Sequence, residues 1–264
     1  MRPVEPRHGT GTDRRGAFLV ALLLATALPR AGLAQPDGIE PAARQMLKAS
    51  TDFLARQQKF SLDTESSLDV VSDSGQKIQY DHTVKVSVER PNRLRAERTG
   101  DLVDQVFIYD GTSLTLHDPA GKYYATVAAP GTLEEMLDFA REKLDVVAPA
   151  GDLLYKNAYE ILMEHVTEGS VVGKGVVDGV GCDHLAFRTQ LVDWQIWIQE
   201  GSQPLVRKLV ITSRDMLNAP QFTVVAKNWD LAPAFSAETF SFKPSPDLQK
   251  LEFLRRGGDG PKAP

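Results

Sequence analysis

The sequence contains one cysteine, Cys182, in 264 residues. A single cysteine excludes a disulfide within the chain, so the fold must depend on a hydrophobic core and on hydrogen bonds. Hydrophobic residues make up 42% of the chain and charged residues 25%, which is the ordinary balance of a soluble globular protein. The chain is therefore expected to bury a core without covalent cross-links.

The chain also lacks an apolar run long enough to cross a membrane. The longest largely apolar run extends from Ala17 to Leu28, whereas a spanning helix needs about 20 apolar residues. Several arginines precede this run, and the small residues Gly32 and Ala34 follow it. This order predicts a secretory signal peptide over residues 1–34, cleaved after Ala34, and a mature protein outside the cytoplasm without stable membrane insertion.

Two export routes fit this signal. Arg14 and Arg15 loosely match the twin-arginine signal, which exports folded proteins. The alternative is the basic start of a general signal peptide, which the imperfect spacing favours. Gln35 stands where a lipoprotein would carry a cysteine, so a direct lipid anchor is not expected.

A basic surface is missing as well. The whole chain has a formal net charge of −5, and residues 1–34 carry more arginines than acids, so the mature chain is more negative still. Nucleic acids and anionic membranes attract clustered lysine and arginine, and no such cluster is present in the sequence. Neither is expected as a partner.

Patterns of catalytic or metal-binding residues are scarce. Cys182 and His184 would alternate along a strand with side chains about 7 Å apart, too far for a thiol and its base. The histidines at 82, 117, 165 and 184 fall on separate elements, so no metal site is expected. The glycines between 169 and 181 precede no helix and do not form a phosphate-binding loop. We expect no enzyme activity and no cofactor.

The sequence contains many short segments in which apolar and polar residues alternate. In Lys77–Glu89 every second residue from Ile78 to Val88 is apolar except His82, which is the pattern of a strand with one buried side. Similar segments recur at 60–70, 93–97, 106–109, 113–117, 123–128, 170–177, 181–188, 193–199, 205–212 and 221–230. Short turns such as Asp110-Gly111 connect many of them. The sequence predicts about eleven antiparallel strands.

Three helices complete the predicted α+β architecture. The first is expected to be capped by Asp37 and to continue through Leu54. The second begins with a capping box at Thr132 and Glu135, and the third covers about 152–166. We predict one domain over residues 35–244 and a disordered tail over 245–264, where charge is scattered and apolar residues are few.

The predicted binding face lies on two adjoining strands. Trp194, Ile196 and Ile198 share one face of the first strand, and alternation places Leu205 and Leu209 on one face of the next. Arg207 falls between these two leucines. A charge on an apolar face must be paired or lie at its rim; the alternative is a latch that holds a helical lid closed.

Three segments of the sequence resemble a known family: 182–188 (Cys-Asp-His-Leu-Ala-Phe-Arg), 193–198 (Asp-Trp-Gln-Ile-Trp-Ile) and 204–212. They are similar to bacterial predicted periplasmic proteins of unknown function. That family is in turn similar in fold to the lipoprotein carriers LolA and LolB. The resemblance implies a periplasmic, LolA-like antiparallel half-barrel of about eleven strands, whose concave apolar face is covered by helices.

The sequence is compatible with three functions. The favoured one is a non-catalytic carrier or binding protein for a hydrophobic ligand, an acyl chain, lipid or lipoprotein, held between the sheet and the helices. The second is an envelope signalling or assembly protein that binds a protein partner, as anti-sigma regulators of this fold do. A hydrolase is the least favoured. Whether the concave face is open or already filled decides between the first two.

Overall fold

A twelve-stranded sheet dominates the computed structural model, which describes residues 38–101, 104–146 and 148–253. The described residues belong to one compact unit. The strands are β1 (Lys59–Val71), β2 (Lys77–Glu89), β3 (Arg93–Gly100), β4 (Gln105–Tyr109), β5 (Ser113–Asp118), β6 (Tyr123–Ala128), β7 (Glu168–Val177), β8 (Val180–Arg188), β9 (Val192–Gln199), β10 (Val206–Ser213), β11 (Gln221–Asp230) and β12 (Gln249–Leu251). The predicted signal peptide and its cleavage site lie outside the described residues.

The order of the strands is β12-β6-β5-β4-β3-β2-β1-β11-β10-β9-β8-β7. Each of β1 to β11 pairs antiparallel with its neighbours, which confirms the predicted architecture of about eleven antiparallel strands. The short strand β12 is the exception, since it pairs parallel with β6. Two meanders, β1 to β6 and β7 to β11, meet where β1 pairs with β11.

Three α-helices of the described residues lie between or before the strands: α1 (Pro41–Ala55), α2 (Leu133–Leu144) and α3 (Ala158–Met163). Their apolar residues pack against one side of the sheet, the side that carries Phe60, Val88 and Ile196. We call this side the helix-covered face and the opposite side the outer face. None of the helices within the described residues has the length and apolarity needed to cross a membrane.

The predicted start is correct for α2 and wrong for α1. The capping box of α2 is confirmed, because the Thr132 hydroxyl accepts a hydrogen bond from the Glu135 backbone N–H and the Glu135 carboxylate accepts one from the Thr132 N–H. The predicted start of α1 at Asp37 is too early, since Glu40 is the N-cap residue and Pro41 the first helical one. Proline suits that position because its missing N–H has no partner there. Asp37 lies outside the described residues.

The predicted helix over 152–166 is wrong as a continuous helix. A short 3₁₀ helix covers Gly151–Leu154, Tyr155 has extended backbone angles, and α3 then covers only Ala158–Met163. The break lets the buried ring of Tyr155 reach α2, where its hydroxyl donates to Asp138 Oδ1 at 2.7 Å. A tertiary contact therefore outweighs local helix propensity here.

The tail predicted to be disordered is partly ordered. Gln249–Leu251 extend the sheet as β12. Phe242, which precedes the tail, packs its ring against His117 and Tyr124 on the outer face, with ring centroids 5.2 Å apart in each case. The expectation is thus wrong for this part of the tail. Residues 254–264 lie outside the described residues.

Most of the buried apolar residues in the described part of the chain form two clusters on the helix-covered face. The first joins α2 and the 3₁₀ helix region to one end of β1 to β5, around Phe60, Val88 and Tyr109. The second joins α1 to β8, β9 and β10, around Leu47, Leu185 and Ile196. Each helix layer thereby covers its own part of the sheet, and the parts of β1, β2, β3 and β11 that lie outside both clusters are covered less.

Candidate functional site

The predicted binding residues are buried in the structure. Their exposed fractions are 6% for Trp194, 0% for Ile196, 3% for Ile198, 4% for Leu205 and 3% for Leu209. Four of them pack in the second cluster against α1, which contributes Ala43 and Leu47. Leu205 is buried outside that cluster, and Val206 takes the place that alternation gave to Leu205.

A β-bulge at Arg207 causes this exchange. Val206 pairs with Ile198, but the next ladder pair joins Lys208 to Trp197, so Arg207 is the extra residue of its strand. Its guanidinium donates to the Gln199 side-chain oxygen, with Nε 2.9 Å away, on the outer face. The predicted position of Arg207 on the apolar face is therefore wrong, and it holds no helix of the covered face.

Helix α1 fills the face beneath it. Besides its apolar contacts, the Ser50 hydroxyl donates to the Pro204 carbonyl at 2.7 Å, which ties the helix to the turn before β10. Ile39 extends the cover by pairing with Gly169 at the sheet edge. In the observed conformation this part of the sheet is ordinary core.

Arg90 is a buried cation in the turn between β2 and β3, and no motif in the sequence marks it. Its side chain is 2% exposed; it donates from Nη2 to the Leu154 carbonyl at 2.6 Å and from Nη1 to Glu134 at 3.3 Å. Burial lowers the pKa of Arg90, and the Glu134 carboxylate opposes that shift. The turn between β2 and β3 is thereby joined to α2 and to the 3₁₀ helix.

A second polar contact joins the same two helical segments. Arg141 donates to the Tyr155 hydroxyl at 2.8 Å and to Asp152 at 3.2 Å, while Tyr155 donates to Asp138. Burial and the Asp138 hydrogen bond raise the pKa of Tyr155, so its hydroxyl stays protonated and keeps donating. Together with Arg90, these bonds hold α2 and the 3₁₀ helix on the sheet.

Between the two clusters lies a part of the helix-covered face that we call the central strip. It consists of six half-buried residues of β1, β2, β3 and β11: Thr64, Leu68, Tyr80, Val84, Ala96 and Phe222. They share one face, because Thr64 pairs with Val84, Leu68 pairs with both Tyr80 and Phe222, and Ala96 pairs with Val86 of the first cluster. The strip is thus a mostly apolar, incompletely covered surface beside the two buried clusters, and beyond Leu68 and Tyr80 it continues to the exposed Val70 and Ile78.

Polar groups interrupt the strip at one place. Ser66 and His82 are buried at 6% and 9% exposure, and the Ser66 hydroxyl donates to the His82 carbonyl at 3.2 Å. Burial and the neighbouring Arg98 lower the pKa of His82. His82 Nδ1 and Arg98 Nε are both buried without a hydrogen-bond partner. Sequence reasoning missed this pair, since neither residue belongs to a recognisable motif.

Cys182 and His184 share the outer face, as their spacing predicts. Cys182 is fully buried, and burial raises the pKa of its thiol, which disfavours a reactive thiolate. The His184 ring stacks on Trp197 with centroids 4.0 Å apart and bonds to Gln195 at 3.0 Å. Both side chains therefore have packing partners. Among the described residues, no three His, Cys, Asp or Glu side chains are grouped as a metal ion requires.

A small cavity lies on the outer face beneath the ordered part of the tail. Its volume is about 260 Å³, and it is lined by Ile108, Asp110, Ser113, Thr115, Tyr124, Thr126, Phe242, Pro244 and Lys250. Sites for drug-sized molecules occupy roughly 300–1,000 Å³ and are mostly apolar. This cavity is therefore a poor fit for a long acyl chain.

Solved structures from several bacteria match about three quarters of the chain. LprF from Mycobacterium bovis is 14% identical, with 75% of this chain and 97% of LprF covered and a TM-score of 0.43. A LolA superfamily protein from Nitrosomonas europaea is 11% identical, with 76% and 97% covered and a TM-score of 0.38. MucB in its complex with MucA from Pseudomonas aeruginosa is 13% identical, with 76% and 61% covered and a TM-score of 0.44. Similarity at this level is too low to transfer a function.

Comparison of the sequence with family models assigns the chain to a family. No curated protein matches the chain significantly. One family model, described as "Predicted periplasmic protein (DUF2092)", matches residues 43–254, which is most of the chain. The chain therefore belongs to the DUF2092 family of predicted periplasmic proteins, as the resemblance in the sequence indicated.

Proposed function

We propose that the protein is a periplasmic, non-catalytic carrier or binding protein for a hydrophobic ligand, such as an acyl chain or lipid, that binds on the helix-covered face. The observation that carries the proposal is the central strip. A surface of mostly apolar side chains left half-buried between two packed clusters is typical of a binding surface. The family assignment supports the compartment.

The ligand contacts the strip first. Val84, Leu68 and Phe222 offer it apolar side chains, and the two clusters supply walls on either side. Trp194, Ile196, Ile198 and Leu209 join the site only if α1 moves away, since that helix now covers them. We therefore assign these residues to a second, induced part of the site, and Leu205 and Arg207 to none.

The energy available suits reversible binding. Burying one methylene contributes about 0.8 kcal/mol, so eight methylenes of an acyl chain contribute roughly 6 kcal/mol. Loss of ligand freedom and side-chain ordering oppose this gain. The balance favours micromolar affinity, which lets a carrier release its ligand.

The test compares two variants of β2. Val84→Glu places a charge in the strip, whereas Thr83→Glu places the same charge next to it on the outer face. Lipids extracted from the purified mature protein are identified by mass spectrometry, and titration with a fluorescent fatty acid measures affinity. We expect Val84→Glu alone to lose ligand while its melting temperature stays near that of Thr83→Glu. Equal binding by both variants, or no ligand in the wild type, contradicts the proposal.

A protein partner is the second candidate function, and one surface favours it. Leu191, Met216 and Leu217 are 53%, 53% and 72% exposed, on the turns after β8 and β10. The Arg214 N–H donates to the Leu191 carbonyl at 2.8 Å, so the two turns are adjacent. We call these three residues the turn patch.

A photo-crosslinking amino acid at position 217 tests that candidate in living cells. The matched control is position 176, because Val176 is 73% exposed on the edge strand β7, away from the patch. A discrete protein adduct from position 217 but not from 176 supports an envelope partner. Adducts of equal yield from both positions contradict it.

A further inference from the structure

Two basic side chains lie side by side on the central strip. Arg98 pairs with Val84 across β2 and β3, and His82 pairs with Gly100, so Arg98 and His82 are diagonal neighbours on the helix-covered face. Arg95 on the same strand points to the outer face, where it binds Glu97 at 2.6 Å. Of these two arginines, only Arg98 is directed toward the strip.

Both residues retain unused hydrogen-bonding atoms. His82 is 9% exposed, and its Nδ1 has no partner; the buried Nε of Arg98 has none either. Within the described residues Arg98 forms no ion pair. The carboxylates of Asp81 and Asp101 and the nearby Asp81 backbone favour the protonated form of His82, but none of them forms a hydrogen bond of good geometry with Nδ1. Buried polar atoms are normally hydrogen-bonded, so atoms without a partner mark a place for a missing acceptor.

The surroundings define the chemistry of that acceptor. A guanidinium beside apolar side chains is costly unless an anion pairs with it, and its fork of N–H groups suits a carboxylate or a phosphate. Val84 lies beside Arg98, and Leu68, Tyr80 and Phe222 lie farther along the same face, beyond the buried Ser66 and His82. An acyl chain whose anionic group is at Arg98 thus has apolar side chains of the strip on its path.

We propose that Arg98 and His82 bind the anionic head group of a single-chain amphiphile whose acyl chain lies along the central strip. This inference rests on the proposed function, since it names the ligand class of the same site. Arg98 supplies the charge and the paired N–H donors. His82 supplies one further hydrogen bond from Nδ1 when that nitrogen carries the proton.

The experiment measures displacement of a neutral apolar dye, N-phenyl-1-naphthylamine, from the mature protein. Three competitors share a sixteen-carbon chain and differ in head group: palmitate, hexadecyl phosphate and hexadecanol. We expect the anionic heads to displace the dye at concentrations about tenfold lower than hexadecanol, as a charge-assisted hydrogen bond would give. The better of palmitate and hexadecyl phosphate identifies the head group.

Variants separate this inference from the proposed function. Arg98→Gln should abolish the preference for anionic heads and leave hexadecanol unchanged, whereas Arg95→Gln, the matched control on the outer face, should keep the preference. If hexadecanol competes as well as palmitate in the wild type, the hydrophobic site stands and the anion site does not. If the dye does not bind, both proposals fail.

Discussion

Arg207 binds the side chain of Gln199 on the outer face, although alternation along β10 places it beside Leu209 on the other. The bulge between Val206 and Lys208 turns the arginine out of the apolar face. The helix-covered face beneath α1 consequently contains no charge from β10. A side chain that the sequence suggests as a latch is a half-buried surface contact.

Arg207→Ala is therefore expected to cost little stability. The bond to Gln199 joins a cation to a neutral amide near the surface, so its loss should lower the free energy of unfolding by about 1 kcal/mol. Leu209→Ala, two positions along the strand, should cost about 2–5 kcal/mol because Leu209 is buried beneath α1. Urea denaturation of both variants measures the difference. A larger loss from Arg207→Ala than from Leu209→Ala contradicts this placement.

The sequence predicts strands well where alternation is uninterrupted. The predicted bounds of β2 and β6 coincide with the observed ones, and β2 pairs with β1 in unbroken register from Lys59–Glu89 to Val71–Lys77. Alternation fails at β10 because a bulge adds one residue without leaving a mark in the residue pattern. The apolar face was thus predicted correctly on β9 and only in part on β10.

The residues of the candidate site could be predicted only in part, and the reason is not a β-bulge. Apolar periodicity reports that a residue is buried, but it does not distinguish contact with a ligand from contact with a helix. Trp194 and Ile196 satisfy the pattern and lie under α1. Leu68 and Val84 satisfy it equally and remain half-buried, because no helix covers that part of the sheet.

The capping box of α2 gives a local prediction. Thr132→Ala removes the hydroxyl that accepts from the Glu135 N–H, and such losses cost about 1 kcal/mol. Glu135→Ala removes the reciprocal bond to the Thr132 N–H. Because the two bonds support each other, the double variant should lose less stability than the two single losses combined. Thermal or urea unfolding of the three variants tests this; strict additivity would count against cooperation between the two bonds.

The lowered pKa of His82 leads to a prediction of how the stability of the fold changes with pH. Burial and Arg98 lower its pKa in the folded state, so the unfolded chain binds the proton more tightly. Stability from neutral His82 is therefore complete above the unfolded pKa of about 6.5 and is lost as pH falls through the lower folded pKa. Asp81 and Asp101 near the ring oppose the shift but do not reverse it.

The measurement compares wild type with His82→Gln in urea at about pH 7.5 and about pH 5, a range that straddles the unfolded pKa of histidine and lies above those of most carboxylates. The wild type should lose more stability than the variant on acidification. Equal losses would show that other groups account for the pH dependence.

The last prediction concerns the buried side chain of Arg90. Arg90→Gln removes the donors to the Leu154 carbonyl and to Glu134, and it leaves both acceptors beside buried surface. Unsatisfied buried acceptors cost about 1–3 kcal/mol each, so we expect a loss of about 2 kcal/mol or more and faster amide exchange in α2 and the 3₁₀ helix. Arg93→Gln is the matched control, because Arg93 is 50% exposed and pairs only with Glu89 among the described residues. It should unfold as the wild type does. If both variants show the same exchange in α2, the buried arginine does not hold that helix on the sheet.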